Sequence, residues 1–193
     1  TIRTVVTDGR TETTTEYSAV EPAAQRDLAW KLEHGRDGFP QDLALAVQWY
    51  EKAVEGGDGV AMNNLGLMLK NGKGVSADPG RGFQLIRKAA DLCPNEPIIM
   101  DNLGDCYYDG QGVPQDYVEA TVWYRKAAEQ GNAIAQNDLG NCYYNGEGVP
   151  QDYVEAAVWY RKAAEQGTAN AQNMLGVCLY DGQGVPQEIG RAI

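Results

Sequence analysis

Histidine occurs once, at His34, and serine only twice, at Ser18 and Ser76. Neither serine sits in a G-x-S-x-G or S-x-x-K setting, so a serine nucleophile has no home here. With one histidine, no C-x-x-C and no Cys/His pairing, a metal site lacks its ligands. No apolar run approaches the ~20 residues a membrane-spanning helix needs. Basic runs are also missing. Asp and Glu number 27 against 16 Lys and Arg, a formal charge of −11. That balance repels nucleic-acid phosphates and anionic membranes and suits basic or neutral partners. The acids and bases alternate at helix spacing, as on an ordinary solvated surface. No cofactor, no metal and no catalytic residue is expected. The first residue is Thr1 rather than Met, so the lack of a visible signal peptide decides nothing. Localisation stays open, with unpaired cysteines favouring a reducing compartment.

What the chain has is a repeat. Val113–Gly131 reads VPQDYVEATVWYRKAAEQG and Val149–Gly167 reads VPQDYVEAAVWYRKAAEQG, differing only at Thr121 against Ala157. The same period carries Leu103, Leu139 and Leu175, and Cys106, Cys142 and Cys178. Such a period signals stacked helix pairs, an architecture that commonly binds other proteins. Leu28, Leu65, Leu103, Leu139 and Leu175 mark the first helix of each unit; Lys52, Lys88, Lys126 and Lys162 mark the second. The first unit has an extra loop residue near Asp37. The third is preceded by a longer connection, Cys93-Pro94-Asn95-Glu96-Pro97, whose prolines stop one helix and start the next.

Each unit reads helix–loop–helix. In the fourth, Ala135, Leu139, Cys142 and Tyr143 form one stripe. Gly146 can take the left-handed conformation that ends a helix, and Asp152 can cap the next one. Ala156, Trp159, Tyr160 and Ala163 form the second stripe. Gly140 stands inside a helix, where glycine costs about 1 kcal/mol against alanine. Its recurrence as Gly66, Gly104 and Gly176 implies that another helix passes too close for a side chain. The three repeat cysteines read as small buried hydrophobes, since equivalent helices about 8–10 Å apart cannot form disulfides. The G-x-G pairs, such as Gly146/Gly148, follow no strand and precede no Lys-Ser/Thr, so they are not phosphate loops. Trp49, Trp123 and Trp159 read as core; Trp30, alone on a first helix, is the exception.

The pattern A-x-x-x-L-G-x-x-Y-x-x-G-x-G-V, followed by D-x-x-x-A-x-x-W-Y-x-K-A-A, resembles the Sel1-like repeat, a relative of the tetratricopeptide repeat. It is clearest in Ile99–Gly131 and Ala135–Gly167, good in Ala171–Gln187, and weaker in Ala61–Leu92 and Ala24–Gly57. The resemblance implies an all-α fold, a right-handed α-solenoid whose first helices line the concave face, and scaffold or adaptor work. Cysteine-rich relatives linked to β-lactams carry a paired-cysteine pattern that this chain lacks.

Residues 22–193 are thus read as four repeats plus a partial fifth, since Gln187–Ile193 matches only the first turns of a second helix. An uncapped end of this kind suggests a fragment, or an end covered by a partner. Residues 1–21 fall outside the repeat. Ile2–Thr7 is β-prone, Asp8-Gly9 is a tight-turn signal, and a short β-hairpin or a flexible tail are both open.

If first helices line the concave face, three rows point into it. Two residues before each leucine come Arg26, Asn63, Asp101, Asn137 and Asn173. Two after it come Trp30, Leu67, Asp105, Asn141 and Val177. Five after it come Glu33, Lys70, Tyr108, Tyr144 and Tyr180. Asp101, Asp105, Tyr108, Asn137, Asn141, Tyr144, Asn173 and Tyr180 are the candidate partner-binding residues. Amides and acids can meet an extended peptide backbone, and tyrosine offers apolar area with a polar tip. An extended peptide or partner protein with basic or apolar side chains fits this face. Recent duplication alone would repeat the same residues. A second reading has the two chain ends joining copies into a self-assembling structural subunit.

Overall fold

The structure is a computed structural model that describes residues 3–7, 10–14, 21–182 and 184. Nine helices follow one another among these residues: α1 (Pro22–His34), α2 (Leu43–Glu55), α3 (Gly59–Asn71), α4 (Pro79–Leu92), α5 (Pro97–Asp109), α6 (Tyr117–Glu129), α7 (Ala133–Asn145), α8 (Tyr153–Glu165) and α9 (Ala169–Asp181). Each packs on the next in chain order, which gives the solenoid of helix–loop–helix units that the repeat implies. Ahead of them β1 (Arg3–Thr7) pairs antiparallel with β2 (Arg10–Thr14), Arg3 opposite Thr14 and Thr7 opposite Arg10. The Asp8-Gly9 turn and the segment Gln187–Ile193 lie outside the described residues.

Local chemistry sets the helix ends. Asp42, Asp78, Asp116 and Asp152 hold one repeat position, and each accepts a backbone N–H in the first turn of a second helix. Asp152 takes both Val154 and Glu155, at 2.9 and 3.1 Å. Gly146 ends α7 at φ 76°, a conformation costly for any residue with a Cβ. The extra residue of unit one, Asp37, also takes a positive φ, 56°. Pro97 starts α5 after Cys93 closes α4.

The core runs along the stack. Leu65, Leu103 and Leu139 are fully buried, together with Cys106, Cys142 and Cys178. The cysteines are free thiols; burial first, then nearby acids, pushes Cys106 up to about 11, and burial does the same to Cys142. In units three and four the second-helix tyrosine packs against the first-helix glycine, and in unit two Ile86 does so against Gly66. A Cβ on Gly104 or Gly140 would fall 2.7 Å from the ring of Tyr124 or Tyr160. Trp49 and Trp159 are buried and Trp123 is half-buried. A lysine three residues on covers each ring: Lys52, Lys126 and Lys162 stand 4.0, 3.9 and 3.8 Å from the centroids.

Candidate functional site

First helices of successive units present side chains to shared hollows. Asp105 and Tyr108 on α5 meet Asp138 and Asn141 on α7 around a space of about 170 Å³, with Tyr124 of α6 at its wall. Three candidates from the sequence therefore converge: Asp105, Tyr108 and Asn141. Trp30, Glu33 and His34 of α1 share a second hollow, about 260 Å³, with Asn64 and Leu67 of α3. Trp30 is 43% exposed and stacks on His34 at 4.6 Å. Asn173 and Tyr180 lie in a third, shallower hollow on α9 with Val177 and Asp181.

The row two residues before the leucine behaves differently from its sequence reading. Asn63, Asp101 and Asn137 are buried, at 3, 5 and 6% exposure, and do not face an open groove. The reason is where neighbouring first helices touch. Asn102 Nδ2 donates to Asn63 Oδ1 at 3.0 Å, and Asn170 Nδ2 to Asn137 Oδ1 at 3.2 Å, so this row forms the seam between units. Arg26 serves the same seam, pairing with Asp58 at 2.7 Å.

Several tyrosines are tied into the fold. Tyr124 donates to Asp105 at 2.9 Å and Tyr160 to Asn141 at 2.8 Å. Tyr108 donates to Glu147 of the next unit at 2.7 Å and packs edge-on against Tyr117, 5.0 Å away. Glu33 makes the equivalent link in unit one, accepting from Lys73 at 2.8 Å. Tyr144 is half-buried and packs edge-on to Tyr153 at 5.2 Å. Tyr180 is 69% exposed.

Asp138 and Asn64 escaped the sequence reading. Both stand directly before the marker leucine, in the row Asp27, Asn64, Asn102 and Asp138. Its polarity in four units was the available signal.

The electrostatics are concentrated in unit three and its neighbour. Burial, then the nearby Asp105 and Asp138, raises Asp101 to about 8. Burial also raises Asp138 to about 6, against the pull of hydrogen bonds from Asn137 and Asn141. Asp105 is raised by burial, opposed by Tyr124 and by Lys70. Among the described residues no group of three or more His, Cys, Asp or Glu side chains is placed to hold a metal ion.

The Sel1 repeat family matches residues 22–58, 59–92, 100–132, 133–168 and 169–193. The chain belongs to the Sel1 repeat family. The first four matched stretches follow the pairs α1–α2, α3–α4, α5–α6 and α7–α8, and the fifth opens with α9. It is similar to a Sel1 repeat protein from Oxalobacter formigenes, 35% identical with a TM-score of 0.79, over 87% of this chain and 66% of that one. It is equally similar in fold, TM-score 0.79 at 40% identity, to c5321, a protective antigen of uropathogenic Escherichia coli strains. That match covers 86% of this chain and 35% of the antigen. The chitin synthase regulator SKT5 of Saccharomyces cerevisiae is 35% identical over 105 residues, 52% of this chain but 14% of the yeast protein. The chain thus spans a small part of that relative. Sel1 repeats form a tetratricopeptide-like scaffold that mediates protein–protein interaction, and no helix among the described residues is long and apolar enough to cross a membrane.

Proposed function

We propose that the protein is an adaptor whose first helices, α5, α7 and α9 above all, hold an extended segment of a partner protein. The observation that carries this reading is the convergence of Asp105, Tyr108 and Asn141, with Asp138, on one hollow shared by two repeats. A single helix pair offers no such site; the stack creates it. The hollow on α9 around Asn173 and Tyr180 continues the same face. Repeat spacing matches side chains of one extended segment to successive hollows, and the amides of this face offer hydrogen bonds to its backbone. A relative named for regulating chitin synthase suits such a role.

Tyr144→Ala/Tyr180→Ala is the test. Tyr108 is avoided because it also links two repeats through Glu147. The double variant keeps its far-UV helicity and binds the partner segment at least about tenfold more weakly, the loss of roughly 1.4 kcal/mol or more that two aromatic contacts supply. Unchanged affinity refutes the assignment of this face.

A further inference from the structure

The seam between units two and three closes with an amide pair, Asn102 Nδ2 donating to Asn63 Oδ1 at 3.0 Å. One unit later the same two register positions are occupied by Asp138 and Asp101. Ionised carboxylates only accept hydrogen bonds, so this pair when ionised cannot repeat the amide bond. The consequence is visible at Asp101. It is 5% exposed, and its Oδ1 is buried with no hydrogen-bond partner. Asp105 lies one helical turn further along α5, so the two stand on the same face. Asp101 is within electrostatic reach of both Asp105 and Asp138. Among the described residues none of the three carboxyls makes an ion pair. A buried, unpaired acid beside two others is costly and calls for a compensating charge or a proton.

We propose that the hollow between α5 and α7 receives the ammonium group of a lysine side chain of the partner protein, with Asp105 and Asp138 as counter-charges at its lining, Asp101 buried behind them as a further negative charge, and Tyr108 and Tyr124 as walls. This deepens the adaptor reading and rests on it. The space, about 170 Å³, equals roughly five or six water volumes. That suits a four-carbon stem ending in a compact ammonium better than a broad planar guanidinium. The three donors of an ammonium can be shared among the Asp105 and Asp138 carboxyls and the Asn141 amide oxygen, which line the hollow. The tyrosine rings add attraction for a cation. The other titratable groups around the site are Lys70 of α3, which acts on Asp105; Asp109 of α5; the neutral Tyr124 of α6, which donates to Asp105; and Glu147, which accepts from Tyr108. Acids outnumber the one base. Because Asp101 titrates near 8 and Asp138 near 6, an arriving ammonium displaces protons, and binding strengthens as pH rises toward 9 while lysine stays charged.

The probes are N-acetyl-lysine methylamide and its uncharged norleucine analogue, titrated into the full chain while the Asp carboxyl ¹³C resonances are followed. The lysine compound moves the Asp101 and Asp138 resonances saturably, with at least about tenfold higher affinity at pH 9 than at pH 6. The norleucine compound does not move them. Asp138→Asn, which restores an amide at the seam, abolishes the response; Asp105→Asn, still able to accept from Tyr124, serves if that variant fails to fold. Carboxyls that titrate as a proton-sharing pair and ignore the lysine compound overturn the proposal. So does an equal response in the variants, or an arginine analogue binding as tightly. A partner segment that maps to the first helices but needs no lysine removes this inference alone. Lysine-compound binding with no segment held on that face removes the adaptor reading instead.

Discussion

Asn102 donates to Asn63 across 3.0 Å, and at the next seam the equivalent residues are two acids, Asp138 and Asp101, which once ionised have no hydrogen to share. The repeat of helices therefore continues through this seam while its charge changes. The seam adjoins the hollow between α5 and α7.

Stability should fall with rising pH through this seam. Asp101 binds its proton more tightly in the folded chain, near 8, than an unfolded aspartate near 3.9 does. The folded state therefore holds more protons between about pH 4 and pH 8, and stability is lost as pH rises through that window. Asp101→Asn removes the effect. Urea unfolding at pH 8 should show the variant more stable than the parent by about 1–3 kcal/mol, with little difference at pH 4.5.

Gly140→Ala tests the close approach of α7 and α8. The new methyl would sit 2.7 Å from the Tyr160 ring. Overpacking of that kind costs about 1–3 kcal/mol, more than the roughly 1 kcal/mol of helix propensity gained. Thermal unfolding followed by circular dichroism should show a net loss of stability.

Asp152→Ala removes a cap that takes the N–H groups of Val154 and Glu155. The expected loss is about 1 kcal/mol in denaturant unfolding, with affinity for a partner segment unchanged.

Cysteine reactivity should separate one thiol from three. Cys106, Cys142 and Cys178 are fully buried, while Cys93 is half-buried at the end of α4. A thiol reagent should label Cys93 first and the others only as the chain unfolds. Mass spectrometry after a timed pulse reads this directly. Labelling of Cys142 as fast as Cys93 would contradict the packing.

The sequence carried much of this architecture, for physical reasons. A leucine, a glycine and a tyrosine recurring at one period can only mean stacked identical packing, and Gly104 against Tyr124 and Gly140 against Tyr160 bear that out. Asp152 was legible as a cap because capping is local. The lysines served only as alignment marks, yet Lys52, Lys126 and Lys162 each cover a tryptophan ring three residues back, while Lys88 follows Leu85 instead. The burial of Asp101 and Asn137 was not legible, because it depends on where two first helices touch. A single helix's pattern shows which residues share a face but not how closely the neighbouring helix covers it. Asp138 became a site residue only when α7 was laid beside α5.

The most direct test of the account is to select extended peptides that bind the full chain and map them by amide chemical-shift perturbation. The account predicts shifts along α5, α7 and α9, including Asp105, Asn141 and Asn173, and their loss in Tyr144→Ala/Tyr180→Ala. Shifts confined to the second helices α6 and α8, or binding untouched by the double substitution, would contradict it.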